Sequence, residues 1–106
     1  MFSLCAESSK GNLDTVKLLI QNGAEINDTD DEGSTALVTA SKNGYLEVVK
    51  LLLDHGADIN ASNYDGKTAI IEASCNSHVE IVKLLLDKGA ATNVKDDTGK
   101  TALMNF

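Results

Sequence analysis

A block of sixteen residues occurs three times in this chain: Asn12 to Asn27 (NLDTVKLLIQNGAEIN), Tyr45 to Asn60 (YLEVVKLLLDHGADIN) and His78 to Asn93 (HVEIVKLLLDKGAATN), each starting 33 residues after the one before. Self-similarity at a period of 20 to 50 residues is the signature of stacked supersecondary units, and it constrains the fold more than any single motif. In the central copy Glu47, Lys50 and Asp54 fall on one narrow helical stripe, while Leu46, Val48, Val49, Leu51, Leu52 and Leu53 fill the remaining arc. A helix apolar over most of its circumference needs neighbours on several sides, and adjacent copies supply them. The same polar stripe recurs as Asp14, Lys17, Gln21 and as Glu80, Lys83, Asp87.

The ends of this helix are legible. Glu47 in the first turn complements the positive end of the helix dipole, and Gly56 stops the helix where a residue without a Cβ enters the left-handed region at least cost. Gly23 and Gly89 occupy the same place in the other copies, and Asn27, Asn60 and Asn93 each mark the exit into a turn.

Between the copies lie polar segments. Glu25 to Glu32 holds five carboxylates in eight positions, too polar for a core, and is expected to form a projecting loop or hairpin. Gly33, Ser34 and Thr35 follow, with Thr35 placed to cap a short inner helix through Ala36, Leu37, Val38, Thr39 and Ala40 that Gly44 ends. The second unit has Asn63 to Thr68 as its turn and Ala69 to Ser74 as its inner helix, and a third begins at Asp96. Met1 to Lys10 reads as a first inner helix in one of two registers. Either Glu7 or Ala6 occupies the place of Ala40, a position of close helix approach.

A 33-residue unit with D/N-x-x-G-x-T, an inner helix, a glycine, an outer helix VVKLLL and then GADIN resembles the ankyrin repeat family over nearly the whole chain. The resemblance implies an all-α solenoid of helix-turn-helix repeats joined by projecting hairpins. Within a single domain 1–106, the repeats are 1–29 (partial), 30–62, 63–95 and 96–106 (partial). Some positions depart from the family. Its T-P-L-H appears as Thr35-Ala36-Leu37-Val38, Thr68-Ala69-Ile70-Ile71 and Thr101-Ala102-Leu103-Met104, so proline and histidine are missing, and the inter-helix glycine is Ser77 in the last full unit. Missing proline and histidine predict looser turns.

Composition narrows the function. A net charge of −7, nine lysines without an arginine, and four aromatic residues argue against nucleic acid, whose backbone asks for a cationic face and whose bases ask for stacking partners. No apolar run approaches the ~18 residues of a membrane span, and no signal-peptide pattern follows Met1, so a soluble, cytoplasmic, monomeric protein is expected. Cys5 and Cys75 lie more than two periods apart and are expected to be free thiols, which suits a reducing compartment.

Motifs that resemble chemistry are absorbed by the repeat. Gly66-Lys67-Thr68 and Gly99-Lys100-Thr101 resemble the end of a phosphate loop, but the required earlier glycine is Ala61 or Val94. Asn27-Asp28-Thr29 and Asn60-Ala61-Ser62 match a glycosylation acceptor yet belong to the repeated turn. His55 and His78 are the only histidines and lie at different phases of the repeat, so neither is expected to hold a metal. The carboxylates are expected only at turns and on the exposed stripe, with no nucleophile beside a base, so no enzyme, cofactor or metal is expected.

The resemblance therefore implies a non-catalytic module that grips a protein or peptide on the concave face formed by hairpins and inner helices. Residues that vary while the frame stays fixed are the candidates: Asp31, Glu32, Ser34, Lys42 and Asn43; Tyr64, Asp65, Lys67, Cys75 and Asn76; Asp97, Thr98 and Lys100. Their charge suits a partner with a basic segment. The alternative is a scaffold or spacer fragment of a larger protein, and Phe106, at the phase of Ala40 and Ala73, is expected to cover the end of the stack.

Overall fold

The computed structural model describes residues 3–105; Phe106, and with it the expected covering of the stack, lies outside them. Three helix pairs follow one another: α1 (Leu4–Ser9) with α2 (Leu13–Gln21), α3 (Ala36–Asn43) with α4 (Leu46–Asp54), and α5 (Ala69–Cys75) with α6 (Val79–Asp87), before a 3-10 turn over Ala102–Asn105. Helices α1, α3 and α5 stack as an inner layer, and α2, α4 and α6 as an outer one. No strand forms among the described residues. The hairpins close through single antiparallel bridges, Thr29 with Thr35 and Ser62 with Thr68.

The inner helices start on their threonines. The Thr35 hydroxyl accepts from Val38 N at 3.3 Å and the Thr68 hydroxyl from Ile71 N at 3.5 Å, so the caps form without a proline behind them. The apolar arc of the outer helices turns inward only in part: Val48, Val49, Leu52, Ile81 and Leu85 are buried against Leu37, Ile70 and Ile71, whereas Leu18, Val79 and Leu86 of the same arc are exposed. The polar stripe stays in solvent, where Lys50 lies 3.5 Å from Glu47 and Lys83 lies 3.6 Å from Glu80.

The first helix keeps the 33-residue register. Leu4 is buried as Leu37 and Ile70 are, and Ser8, Ser41 and Ser74 are all fully buried at one phase. Glu7 therefore takes the place of Ala40, while Ala6 faces solvent. The close approach is met by pairing. Asn12 Nδ2 donates to Glu7 Oε1 at 2.8 Å, and Lys10 Nζ lies 3.8 Å from the other oxygen. The expectation that carboxylates keep to turns and the outer stripe fails here and at Glu72, which are 4% and 5% exposed.

Side chains tie each repeat to the next. Asn27 Oδ1 accepts from Asp58 N at 2.7 Å, and Asn60 Oδ1 accepts from Ala91 N at 2.9 Å. Both asparagines of the glycosylation-like pattern are thus committed to stacking. The inter-helix turn is left-handed in every unit, with φ of 73° at Gly11, 86° at Gly44 and 60° at Ser77. The ring of Tyr45 covers Gly11, and that of His78 covers Gly44, where its Nε2 donates to the Lys42 carbonyl at 2.9 Å.

Candidate functional site

Each hairpin is wound around one Asx side chain. Asp30 Oδ1 accepts from the backbone N–H of Glu32 and Ser34, Asn63 Oδ1 from Asp65 and Lys67, and Asp96 Oδ1 from Thr98 and Lys100, all between 2.8 and 3.0 Å. One oxygen thereby satisfies two amides that a tight loop would otherwise leave without partners. These bonds form without the proline and histidine of the family pattern. The hairpins also hold one another, since Tyr64 N donates to the Glu32 carbonyl at 3.0 Å and Asp97 N to the Asp65 carbonyl at 2.9 Å.

At Asp96 the Thr98 hydroxyl donates a further bond at 2.6 Å. That hydroxyl, then the Lys100 and Thr98 amides and the nearby Lys67 charge, hold the carboxyl below its usual range in spite of its burial.

Between the first two complete hairpins and the inner helices α3 and α5 lies a groove of about 220 Å³. Glu32, Ser34, Asn63, Asp65 and Lys67 border it from the hairpins, and Lys42, Glu72, Cys75 and Asn76 from the helices. Seven of the residues singled out by variation, Glu32, Ser34, Lys42, Asp65, Lys67, Cys75 and Asn76, thus meet in one place. Ser34 is buried at the back of the groove, and its carbonyl accepts from Asp30 N and Cys5 Sγ.

The other candidates sit elsewhere. Asp31 faces a wider depression of about 700 Å³ bordered by Ser3, Cys5, Glu25 and Asp28 on the α1 side. Asn43 ties repeats together, its Nδ2 donating to the Ser9 carbonyl at 2.8 Å. Thr98 is spent on Asp96, and Asp97 lies against Gly66. Lys100 is exposed on the third hairpin. Tyr64 stands at the hairpin tip, 75% exposed, with its ring resting on Gly33.

Four groove residues, Val38, Thr39, Asn63 and Glu72, escaped sequence reasoning, and the last two set its polar chemistry. Glu72 aligns with Ala6 and Thr39, and Asn63 aligns with Asp30 and Asp96. The signal was available as a carboxylate inside an inner helix, opposite the one hairpin whose Asx is an amide rather than an acid. Asn63 Nδ2 points a donor at Glu72 Oε2, 3.5 Å away, where an aspartate would add a second negative charge.

Cys5 is held apart from this chemistry. Its thiol donates to the carbonyls of Asp28 and Ser34 at 3.4 and 3.5 Å, and burial, with Asp30 and Asp28 nearby, pushes its pKa up to about 11. Both cysteines are free thiols, Cys5 buried and Cys75 exposed. Among the described residues no group of three His, Cys, Asp or Glu side chains could hold a metal ion, and no helix is long and apolar enough to cross a membrane.

Paired helices in two layers, hairpins projecting on one side and a polar groove between them define a solenoid of stacked helix-turn-helix repeats. The family model for ankyrin repeats (3 copies) matches residues 2–96, and the chain belongs to that family. Ankyrin repeats are generally protein–protein interaction modules without catalysis. The search of curated proteins gave no match.

Proposed function

We propose that this chain is a non-catalytic binding module that grips a protein or peptide across its concave face, centred on the second complete hairpin. The observation that carries this reading is the position of Tyr64 beside the groove. Its backbone is fixed by the bond to Glu32 and its ring is seated on Gly33, yet three quarters of the residue remains in solvent. A tyrosine that is already ordered loses little side-chain entropy when a partner covers it, and such residues often dominate binding energy.

Around it Glu32 and Asp65 present negative charge, with Lys42 and Lys67 nearer the helices. A partner with a basic segment associates faster at low salt, because rim charges act mainly on the on-rate. In this reading Asp31, Asp97 and Lys100 extend the same face along the hairpins, while Thr98 braces Asp96. The free thiols suit an intracellular, reducing setting, and one copy of the chain carries the whole face.

The test is Tyr64→Ala, measured for unfolding midpoint and for capture of partners from a cell lysate. Loss of capture at an unchanged midpoint is the expected result. Full capture by a folded Tyr64→Ala protein would remove the hairpin tip from the interface.

A further inference from the structure

Resting on that reading, we propose that the groove between α3 and α5 receives a single arginine side chain of the partner, seated on the carboxylate of Glu72. Glu72 is 5% exposed, and among the described residues the only hydrogen-bond partner of its carboxylate is Asn63 Nδ2, at a long 3.5 Å. A carboxylate can accept about four hydrogen bonds, and a buried one is costly unless it is paired.

Glu7 provides the comparison within the same protein. It is equally buried, but it accepts a 2.8 Å bond from Asn12 and lies 3.8 Å from Lys10. Glu72 has no such cation. Among the described residues the ion pairs are Lys10 with Glu7, Lys50 with Glu47 and Lys83 with Glu80, although Lys42 and Lys67 border the same groove. The buried site is prepared for a charge that comes from outside.

Size and charge select the guest. A groove of about 220 Å³ lies below the ~300 to 1,000 Å³ of pockets that enclose whole small molecules, so it admits one side chain. Three carboxylates, Glu32, Asp65 and Glu72, outnumber the two lysines of the lining, which favours a cation and turns away phosphate. Between the two cationic side chains, arginine fits better. Its guanidinium is more weakly hydrated than an ammonium, and its planar fork can engage both oxygens of a carboxylate.

The probe is N-acetyl-arginine methylamide, titrated into nitrogen-labelled protein and followed by amide chemical shifts, with the lysine analogue alongside. Saturable shifts are expected at Glu72, Asn76 and Lys67, stronger for arginine than for lysine. Glu72→Gln should weaken binding by roughly tenfold or more, as truncating one member of a buried charge pair does. Glu47→Gln, on the outer stripe, should leave it unchanged. Glu72→Thr, which copies Thr39 of the preceding repeat, serves if the amide variant fails to fold. Shifts spread over Asp28 to Glu32 and the outer helices, or shifts indifferent to Glu72, would reduce the effect to general attraction toward an acidic protein and overturn the proposal. Equal response to the two probes would overturn the arginine preference. A partner captured by Glu72→Gln but lost in Tyr64→Ala would remove the arginine seat and keep the concave-face reading. Capture that survives both substitutions, and also a bulky maleimide on Cys75, would remove both.

Discussion

The ring of Tyr64 lies so close over Gly33 that a Cβ on the glycine would sit 2.5 Å from Cε1 of the ring. Gly33 also has a φ of 73°, so an alanine there meets both backbone strain and a clash with the next repeat. Gly33→Ala should cost about 1 kcal/mol for the backbone alone and more with the ring in place. In a Tyr64→Ala background the steric part vanishes. Chemical denaturation of the four proteins should therefore give a coupling of about 0.5 kcal/mol or more, whereas strictly additive losses would mean that the ring moves aside freely.

Ser77 has the left-handed φ of 60° that its glycine counterparts Gly11 and Gly44 adopt without penalty. Ser77→Gly should raise stability by roughly 1 kcal/mol, the cost of holding an ordinary residue in that region. Urea midpoints of the two proteins check this, and a lower midpoint for the glycine variant would show that chain entropy outweighs the strain.

The two thiols should differ sharply toward an alkylating or disulfide reagent. Cys75 is exposed, while Cys5 is buried with a pKa near 11, so at about pH 8 almost none of it is thiolate. One thiol should react quickly in the native protein, and the second only on unfolding. Rapid reaction of both would mean that the first hairpin opens readily away from α1.

Asp96 links stability to pH through its lowered pKa. Above the unfolded value of ~3.9 the folded carboxylate is charged and fully bonded; as pH falls through the folded value it is protonated and that stability is lost. Asparagine at this place already works in Asn63, which accepts from the same two amides. Asp96→Asn should therefore show a smaller fall in urea midpoint between about pH 7 and about pH 3 than the natural chain does. Equal falls would assign the acid sensitivity to other carboxylates.

The repeat, the helix phases and the left-handed turns were legible in the sequence because they are local and recur. A period of 33 residues repeats every environment, so the polar stripe of Glu47, Lys50 and Asp54 and the glycine at each helix end can be read three times over. Seven of the residues chosen for variation, Cys75 among them, converge on one groove for the same reason, since equivalent positions of adjacent repeats are neighbours in space.

What belongs to one repeat alone could be read only from the tertiary structure. Variation by itself did not distinguish Asn43 and Thr98, which bind their own protein, from Lys42 and Lys67, which border the groove. Nor did it single out Glu72, whose burial depends on α3 and the second complete hairpin closing around it. Periodicity determines which residues share a phase. Whether a polar side chain at that phase finds its partner inside the protein depends on atoms from the neighbouring repeat, and only stacking brings those within hydrogen-bond reach.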